Sequence, residues 1–329
     1  MTAALRTLAR DRRVVAAAQL AALAVLLLAL GYAFRGIWPE AAPRLRNADP
    51  LSLAAATAVV GLSYLVFVVG WQAILASFGI RVPYSVALQA EMVSMLAKYV
   101  PGGVWTPVAR VVALRRFGQY DTRLVLASIA LEAGLSALAG VVVFLVGLPL
   151  AGVVDVPLLP ILAFGGAVAV LVHPRVFGPV ASLLLRPFGA GEIPTLSWRR
   201  TLTVLGFYTA FWPLGGAAFW LLLRSVGFEP PPAAIPFLGG AAAVGAIVAV
   251  LAVFAPSGLG VREAAMFGLV AAVAPRGAAL AAVALNRLVI TLVEAALLAG
   301  AAAWRVTLRR RRGRAAAPRT EAQPARPRA

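Results

Sequence analysis

Long apolar runs constrain this chain more than any other feature of its sequence. Residues 14–30 contain no charged side chain, and residues 278–304 contain only two. A membrane-crossing helix needs about 20 such residues in succession. Hydrophobic residues make up 62% of the 329 and charged residues 13%, whereas about a quarter of a soluble domain is charged. The sequence therefore predicts an all-α polytopic membrane protein and excludes disordered, collagen-like and coiled-coil chains.

Six apolar segments are predicted to cross the membrane completely, at about 14–34, 51–76, 124–149, 157–173, 200–223 and 278–304. Two further stretches, 84–117 and 235–275, are interrupted near the middle by Pro and Gly, which break helices. Each half is short for a crossing, and broken pairs of this kind indicate re-entrant hairpins. If each hairpin counts as one element, the membrane region contains eight helical segments.

The order span, span, hairpin, span occurs twice, in about 14–149 and 157–304. Each half has three crossings, so the second half would lie upside down relative to the first. This order favours an inverted repeat of the kind found in secondary transporters. Chance symmetry in a chain rich in Ala and Gly is the alternative.

Most of the positive charge lies in the two termini. Residues 1–13 carry +3 and residues 305–329 carry +8, together 11 of the formal +18. Basic segments beside spans stay in the cytoplasm and bind anionic lipid. We therefore expect the membrane domain, 14–304, to lie between two cytoplasmic termini that contact the anionic membrane surface, the second of them a disordered tail. Nucleic acid is the rival partner, but no folded basic domain accompanies the tails, so we expect none.

Signatures of enzymes are missing from the sequence. The chain has no cysteine, which excludes disulfides, thiolate metal sites and cysteine nucleophiles. It also lacks the zinc-protease helix motif, the serine-hydrolase elbow and the P-loop. We predict no catalytic residue, metal or cofactor. A paired-carboxylate mechanism from Glu91 and Glu132 stays open.

Eight charged side chains lie within apolar stretches, where each costs several kcal/mol unless it is paired or hydrated. They are Glu91, Lys98, Arg110, Glu132, Arg262, Glu263, Arg287 and Glu294. Four acids balance four bases, so one interpretation is a set of internal ion pairs that hold helices together. The other is a polar binding site within the membrane.

Spacing favours the binding site. Glu91 and Lys98 are seven residues apart and share one helix face, and the same spacing joins Arg287 to Glu294. Trp105 follows the first break, where it could contact a glycerol or sugar group or simply anchor the chain at the interface.

The second break, at residues 256–260, is followed directly by Arg262 and Glu263. These residues begin a half-helix, and a helix N-terminus attracts phosphate. Glycines in the break let the backbone approach a ligand closely.

Two strings resemble a known family. EMVSMLAKYVPGGVWTPVAR at 91–110 and APSGLGVREAAM at 255–266 are similar to the flippase-like, lysylphosphatidylglycerol-synthase transmembrane-region family, and the resemblance covers about 14–304. By this resemblance, the residues that match the two motifs are Glu91, Lys98, Pro101, Gly102 and Arg110 in the first, and Pro256, Gly258, Gly260, Arg262 and Glu263 in the second.

The best-known relatives join this membrane region to a cytosolic aminoacyl-transferase domain. This chain instead reaches a basic tail after Trp304, so we expect it to lack that synthase activity. The resemblance implies a flippase or transporter in the bacterial plasma membrane. Its substrate would be an anionic or aminoacylated phospholipid, or a lipid-linked substrate, and a separate synthase would be a partner. A membrane-embedded enzyme or an accessory subunit of lipid or glycolipid synthesis is the alternative.

We therefore expect the two hairpin tips to meet near the middle of the bilayer. The four bases named above would hold the phosphate of the headgroup there. The four glutamates would neutralise them when the site is empty.

Overall fold

The computed structural model of the chain describes residues 28, 31–32, 34–98, 105–153, 158–189, 191–253 and 255–316, the last sixteen as backbone only. Within these ranges the chain has eleven α-helices and no strand. In chain order they are α1 Trp38–Arg46, α2 Pro50–Ser77, α3 Tyr84–Ala97, α4 Trp105–Arg115, α5 Thr122–Leu150, α6 Leu158–Val172, α7 Pro174–Leu184, α8 Trp198–Ser225, α9 Ile235–Leu251, α10 Val261–Val270 and α11 Arg276–Ala316. Short 3₁₀ turns cover Arg186–Phe188, Pro232–Ala234 and Pro256–Gly258.

The long apolar helices begin at polar caps. Asp49 accepts the backbone N–H of Ser52 at 2.8 Å before α2, and Asp121 accepts that of Arg123 at 2.8 Å before α5. A side-chain oxygen at this position satisfies an N–H that the helix cannot pair. Hydrogen bonds from Ser52 lower the pKa of Asp49 below its ordinary value. The caps therefore mark where the polar loops end and the apolar helices start.

Five helices are long and apolar enough to cross a membrane: Pro50–Ser77, Thr122–Leu150, Trp198–Ser225, Pro232–Leu251 and Arg276–Gly300. Four of them match predicted crossings. The predicted span 14–34 lies almost wholly outside the described residues. The last helix, α11, continues to Ala316, past the position where the predicted span ends.

The predicted crossing at 157–173 has a different form. Its helix α6 has only 15 residues and bends by 78° into α7. At 1.5 Å per residue, α6 alone spans roughly 22 Å, less than the hydrocarbon core. Only the bent pair reaches the length and apolar composition of a span. His173 accepts the backbone N–H of Arg175 and Pro174 follows it, so the chain starts a new helix in a new direction here.

The stretch 235–275 also differs from its prediction. Its first limb, together with the turn that precedes it, is a 20-residue apolar helix that is long enough to cross by itself. Its second limb, α10, has only 10 residues. The first stretch, 84–117, has two short limbs of 14 and 11 residues.

Both broken segments form packed helix pairs, α3 with α4 and α9 with α10. α3 follows the C-terminal end of α2, whereas α9 begins where Phe237 packs against Gly147 near the C-terminal end of α5. At one end of the bundle, the backbone N–H of Asp49, before α2, donates to the carbonyl of Ser225 at the end of α8. At the other end, Arg123 at the start of α5 donates to the carbonyl of Gly191, which precedes α8. The two pairs therefore start from opposite ends of the bundle.

Glycines allow α5, α8 and α9 to pack closely. A Cβ on Gly216 would lie 2.1 Å from the carbonyl oxygen of Ile235, and one on Gly240 would lie 2.4 Å from the Cα of Phe144. Small residues at helix contacts let backbones approach, which is the main source of association where apolar burial is not available. These contacts fix α5, which carries Glu132, against α8 and α9.

Replacing Gly216 with Ala is expected to destabilise the bundle by about 1–3 kcal/mol, because the added methyl group meets backbone atoms that cannot move aside. The adjacent Gly215→Ala is the matched control, since nothing lies within 4 Å of its Cβ position. Thermal unfolding in detergent measures both. Equal midpoints for the two variants would contradict the packing described for α8 and α9.

Introduced cysteines can test whether the two hairpins enter from opposite faces of the membrane, because the native chain has no cysteine. Gly118→Cys and Arg276→Cys are expected to react with a membrane-impermeant maleimide from opposite faces of the membrane. Each lies in the loop or helix end that follows one hairpin. Labelling of both from the same face would exclude the inverted arrangement.

Candidate functional site

The eight charged residues predicted within apolar stretches separate into two clusters. The first, called the buried triad, consists of Glu91 on α3, Arg110 on α4 and Glu132 on α5. The second, called the tip cluster, lies where the two helix breaks meet and consists of Lys98, Arg262, Glu263, Arg287 and Glu294.

In the buried triad, one guanidinium lies between two carboxylates. Arg110 pairs through Nη2 with Glu91 and through Nη1 with Glu132. All three side chains are buried, with at most 6% exposed. A guanidinium fork suits such a pair of carboxylates, because its N–H groups point in fixed directions.

Aromatic residues surround the triad. The Trp71 ring lies 4.6 Å from the Arg110 guanidinium carbon, and its Nε1 donates to Ser128 at 2.9 Å. Tyr208 donates its hydroxyl to Glu132 at 3.4 Å. α2 and α8 thus complete the enclosure, and the cation–π contact adds attraction in a buried site.

The tip cluster begins with Lys98, which follows the last residue of α3. Its ammonium group pairs with Glu294 on α11, and Tyr64 on α2 donates its hydroxyl to the same carboxylate oxygen. Lys98 retains 25% of its side-chain exposure, whereas Glu294 retains 4%. The lysine is therefore the accessible partner of this pair.

A second pair closes the other side of the tip cluster. Arg287 on α11 lies 3.4 Å from Glu263, and its Nη1 also donates to the carbonyl of Ser257 at 3.4 Å. Glu263 accepts the backbone N–H of Gly260 at 2.6 Å with its other oxygen. This carboxylate therefore occupies the helix N-terminus at which the sequence predicts a phosphate.

The two breaks touch through their backbones. Ser257 donates its N–H to the carbonyl of Lys98 at 2.8 Å, and this carbonyl is one of those that the end of α3 leaves unpaired. Ser257 has φ 54° and ψ 24°, and it is the one non-glycine residue with positive φ in the described ranges. Such backbone strain persists where the surroundings enforce it, often at functional sites.

Glycines shape the second break around this contact. Gly258 and Gly260 have φ of +63° and +84°, and a Cβ on Gly258 would lie 2.2 Å from that of Ala249. The 3₁₀ turn Pro256–Gly258 holds the loop between α9 and α10. At the first break, Pro101 and Gly102 lie outside the described residues.

The charges do not balance within either cluster. The buried triad has two acids and one base, and the tip cluster has three bases and two acids. Arg262 interacts electrostatically with Lys98, and its buried Nε has no hydrogen-bond partner within the described part of the chain. The tip cluster thus has an excess positive charge and an unused donor.

An apolar cleft of about 400 Å³ lies next to the tip cluster. It is lined by Ala97, Trp105, Val108, Ala109 and Val112, and Ala97 directly precedes Lys98. Trp105 is 46% exposed and belongs to this cleft. A larger cleft of about 830 Å³ lies between α7 and the segment before α8, and none of the eight charged residues lines it.

Two residues that contact the tip cluster were not predicted from the sequence. Tyr64 lies in an uninterrupted apolar helix, and only its partner, Glu294, 230 positions later, gives it a role. Ser257 was visible in the glycine-rich break, but its contact is made by its backbone. The prediction that Glu91 and Lys98 act together is also altered, because their partners lie in different clusters.

Comparison with protein families gives one match. The family model described as "Lysylphosphatidylglycerol synthase TM region" matches residues 19–300, most of the chain, and confirms the resemblance of the two motifs. Among curated proteins, the comparison finds no match. The family and the apolar helices together indicate a multi-pass membrane protein linked to lipid metabolism.

Arg110→Met is expected to destabilise the protein by about 3–5 kcal/mol, because it removes the only base between two buried carboxylates. Adding Glu91→Gln and Glu132→Gln should recover most of this loss, since no buried carboxylate is then left without a base. Unfolding in detergent measures the three proteins. Arg175→Met, at an exposed arginine, is the control. A triple variant no more stable than Arg110→Met would contradict this electrostatic explanation.

Proposed function

The chain belongs to the lysylphosphatidylglycerol synthase TM region family, and from this premise we propose that it moves an anionic or aminoacylated phospholipid, or a related lipid-linked substrate, between the two leaflets. The tip cluster is the headgroup site in this proposal. Two partly exposed bases, Lys98 and Arg287, and the free Nε of Arg262 provide the donors for the phosphate.

The excess positive charge of the tip cluster is the observation that carries the proposal. Phosphatidylglycerol has one negative charge on its phosphodiester, which would neutralise the three bases and two acids of the cluster. Charged groups at membrane depth are costly unless compensated. The headgroup of phosphatidylglycerol therefore fits this site better than a zwitterionic one. In an aminoacylated headgroup, the phosphate would meet the bases and the amine would need Glu263 or Glu294 as its own partner.

Two glutamates act as internal substitutes for the phosphate when the site is empty. Glu294 holds Lys98, and Glu263 holds Arg287. A headgroup would compete with these carboxylates for the same donors. Because each carboxylate has another donor, Tyr64 for Glu294 and the Gly260 N–H for Glu263, neither is left unsatisfied when its base turns to the lipid.

The apolar cleft supports a lipid substrate rather than a free anion. Its lining runs from Ala97 along α4 to Val112, starting one residue from Lys98. An acyl chain could lie there while the phosphate reaches the lysine. The backbone hydrogen bond between Ser257 and Lys98 contributes about 0.5–1.5 kcal/mol. In this proposal the tips separate at this contact and open the site to one side at a time.

Lys98→Ala and Arg262→Ala are each expected to reduce leaflet exchange of phosphatidylglycerol about ten- to a hundredfold. This follows from about 1.5–3 kcal/mol for a hydrogen bond to a charged group and tenfold per 1.4 kcal/mol. The measurement is quenching of labelled lipid in liposomes that contain the purified full chain. Arg116→Ala, at an exposed arginine outside both clusters, should leave exchange unchanged.

Two results would count against the proposal. Exchange that persists unchanged in Lys98→Ala and Arg262→Ala would remove the tip cluster as the headgroup site. A new lipid product formed when a soluble donor is added would instead support the alternative of an enzyme of lipid synthesis.

A further inference from the structure

The buried triad has more negative charge than its surroundings can compensate if both acids are ionised. Among the described residues, Arg110 is the only base that forms an ion pair with Glu91 and Glu132. The three side chains are enclosed by α2, α3, α4, α5 and α8, and at most 6% of each is exposed. A buried site with one uncompensated carboxylate is unfavourable by several kcal/mol.

Among the described residues, one further base acts on the triad, and it is already paired with another acid. Lys98 directly follows α3 and attracts the Glu91 carboxylate electrostatically, but its ion pair is with Glu294. Tyr208, on α8, provides a neutral hydroxyl donor, and α2 provides the ring of Trp71. α3 and α4 contribute Glu91 and Arg110 themselves, and α5 contributes Glu132.

Hydrogen bonding distinguishes the two acids. Glu132 accepts from both Arg110 and Tyr208. Among the described residues, Glu91 pairs with the guanidinium alone, through Oε2, and has no second donor comparable to Tyr208. Donors stabilise an ionised carboxylate, so Glu132 is the better site for the charge and Glu91 the better site for a proton.

We infer that the buried triad is a proton-binding site that holds one exchangeable proton on Glu91, between Arg110 and the ionised Glu132. In the step, a carboxylate oxygen of Glu91 takes a proton from a hydronium ion: one O–H bond of the hydronium breaks, one O–H bond to Glu91 forms, and a neutral water molecule leaves. With this proton the triad is neutral. It releases the proton when the helices around Glu91 separate and water enters.

A link between proton and lipid rests on the proposed function. Glu91 and Lys98 lie on one helix segment, about 10 Å apart along its axis. The triad becomes neutral by binding a proton, and the tip cluster becomes neutral by binding an anionic headgroup. A movement of α3 that exposes one site therefore changes the other, so proton and anionic lipid would move together without net charge.

Infrared spectroscopy of the full chain in liposomes tests the proton directly. A protonated carboxyl group has a C=O stretch that an ionised carboxylate lacks, and the band shifts when water is replaced by D₂O if the proton exchanges. The wild type should show this band at neutral pH. Glu91→Gln and Glu132→Gln should each lose it, because either change leaves one acid facing one base.

Glu229→Gln is the matched control, since Glu229 is 65% exposed and belongs to neither cluster; it should keep the band. Absence of the band in the wild type, or its survival in Glu91→Gln or Glu132→Gln, would overturn the proton site. If one of the two variants fails to fold, as judged by its unfolding midpoint, the other decides.

The link to lipid has a separate measurement. A pH dye inside the liposomes should report proton movement that accompanies phosphatidylglycerol exchange in the wild type and is abolished in Glu91→Gln. Lipid exchange without a proton signal, or exchange that depends on Na⁺ instead, would overturn the coupling. A carboxyl band with no lipid exchange would leave the proton site in place and remove the proposed function alone.

Discussion

Compensation of charge inside an apolar bundle is the constraint on which the rest of this structure depends. Every ionisable group on the inner helices either finds a partner there or destabilises the fold. The chain satisfies this requirement with partners on other helices: Glu91 with Arg110 on the next helix, and Lys98 with Glu294 near the end of the chain. These pairs connect helix faces that apolar packing alone would leave free to slide.

The helix breaks serve the same requirement for the backbone. A helix that ends within the bundle leaves carbonyl groups unpaired, and an unpaired buried carbonyl is costly. The contact of Ser257 with Lys98 satisfies one of them with a donor from the opposite hairpin. Two helix breaks that would each leave backbone groups unpaired therefore supply a partner to one another. The same contact brings the charged side chains of both breaks into one cluster.

Local patterns predicted the helices and the breaks well, because apolar run length and the positions of Pro and Gly act over a few residues. Two features differ from the prediction: the apolar run 157–173 ends in a kink at His173 and Pro174, and α9 with its preceding turn is long enough to cross by itself. The ion-pair partners of the charged residues are harder to predict than the helices. Spacing predicts that Glu91 and Lys98 share one helix face. The choice of Arg110 over Lys98 as the partner of Glu91 depends instead on where α4 packs against α3, which the helical period does not encode.

The separation into two clusters also decides which bases can meet a lipid. Arg110 matches the family motif as well as Lys98 does, yet its side chain is 6% exposed and bound by two carboxylates. A phosphate that reached Arg110 would have to enter a closed site and displace a carboxylate that already pairs with the guanidinium. Lys98, at 25% exposure and with one carboxylate, is the more accessible base. The two bases therefore differ in setting: Arg110 is enclosed between two buried acids, and Lys98 is the partly exposed base of the proposed headgroup site.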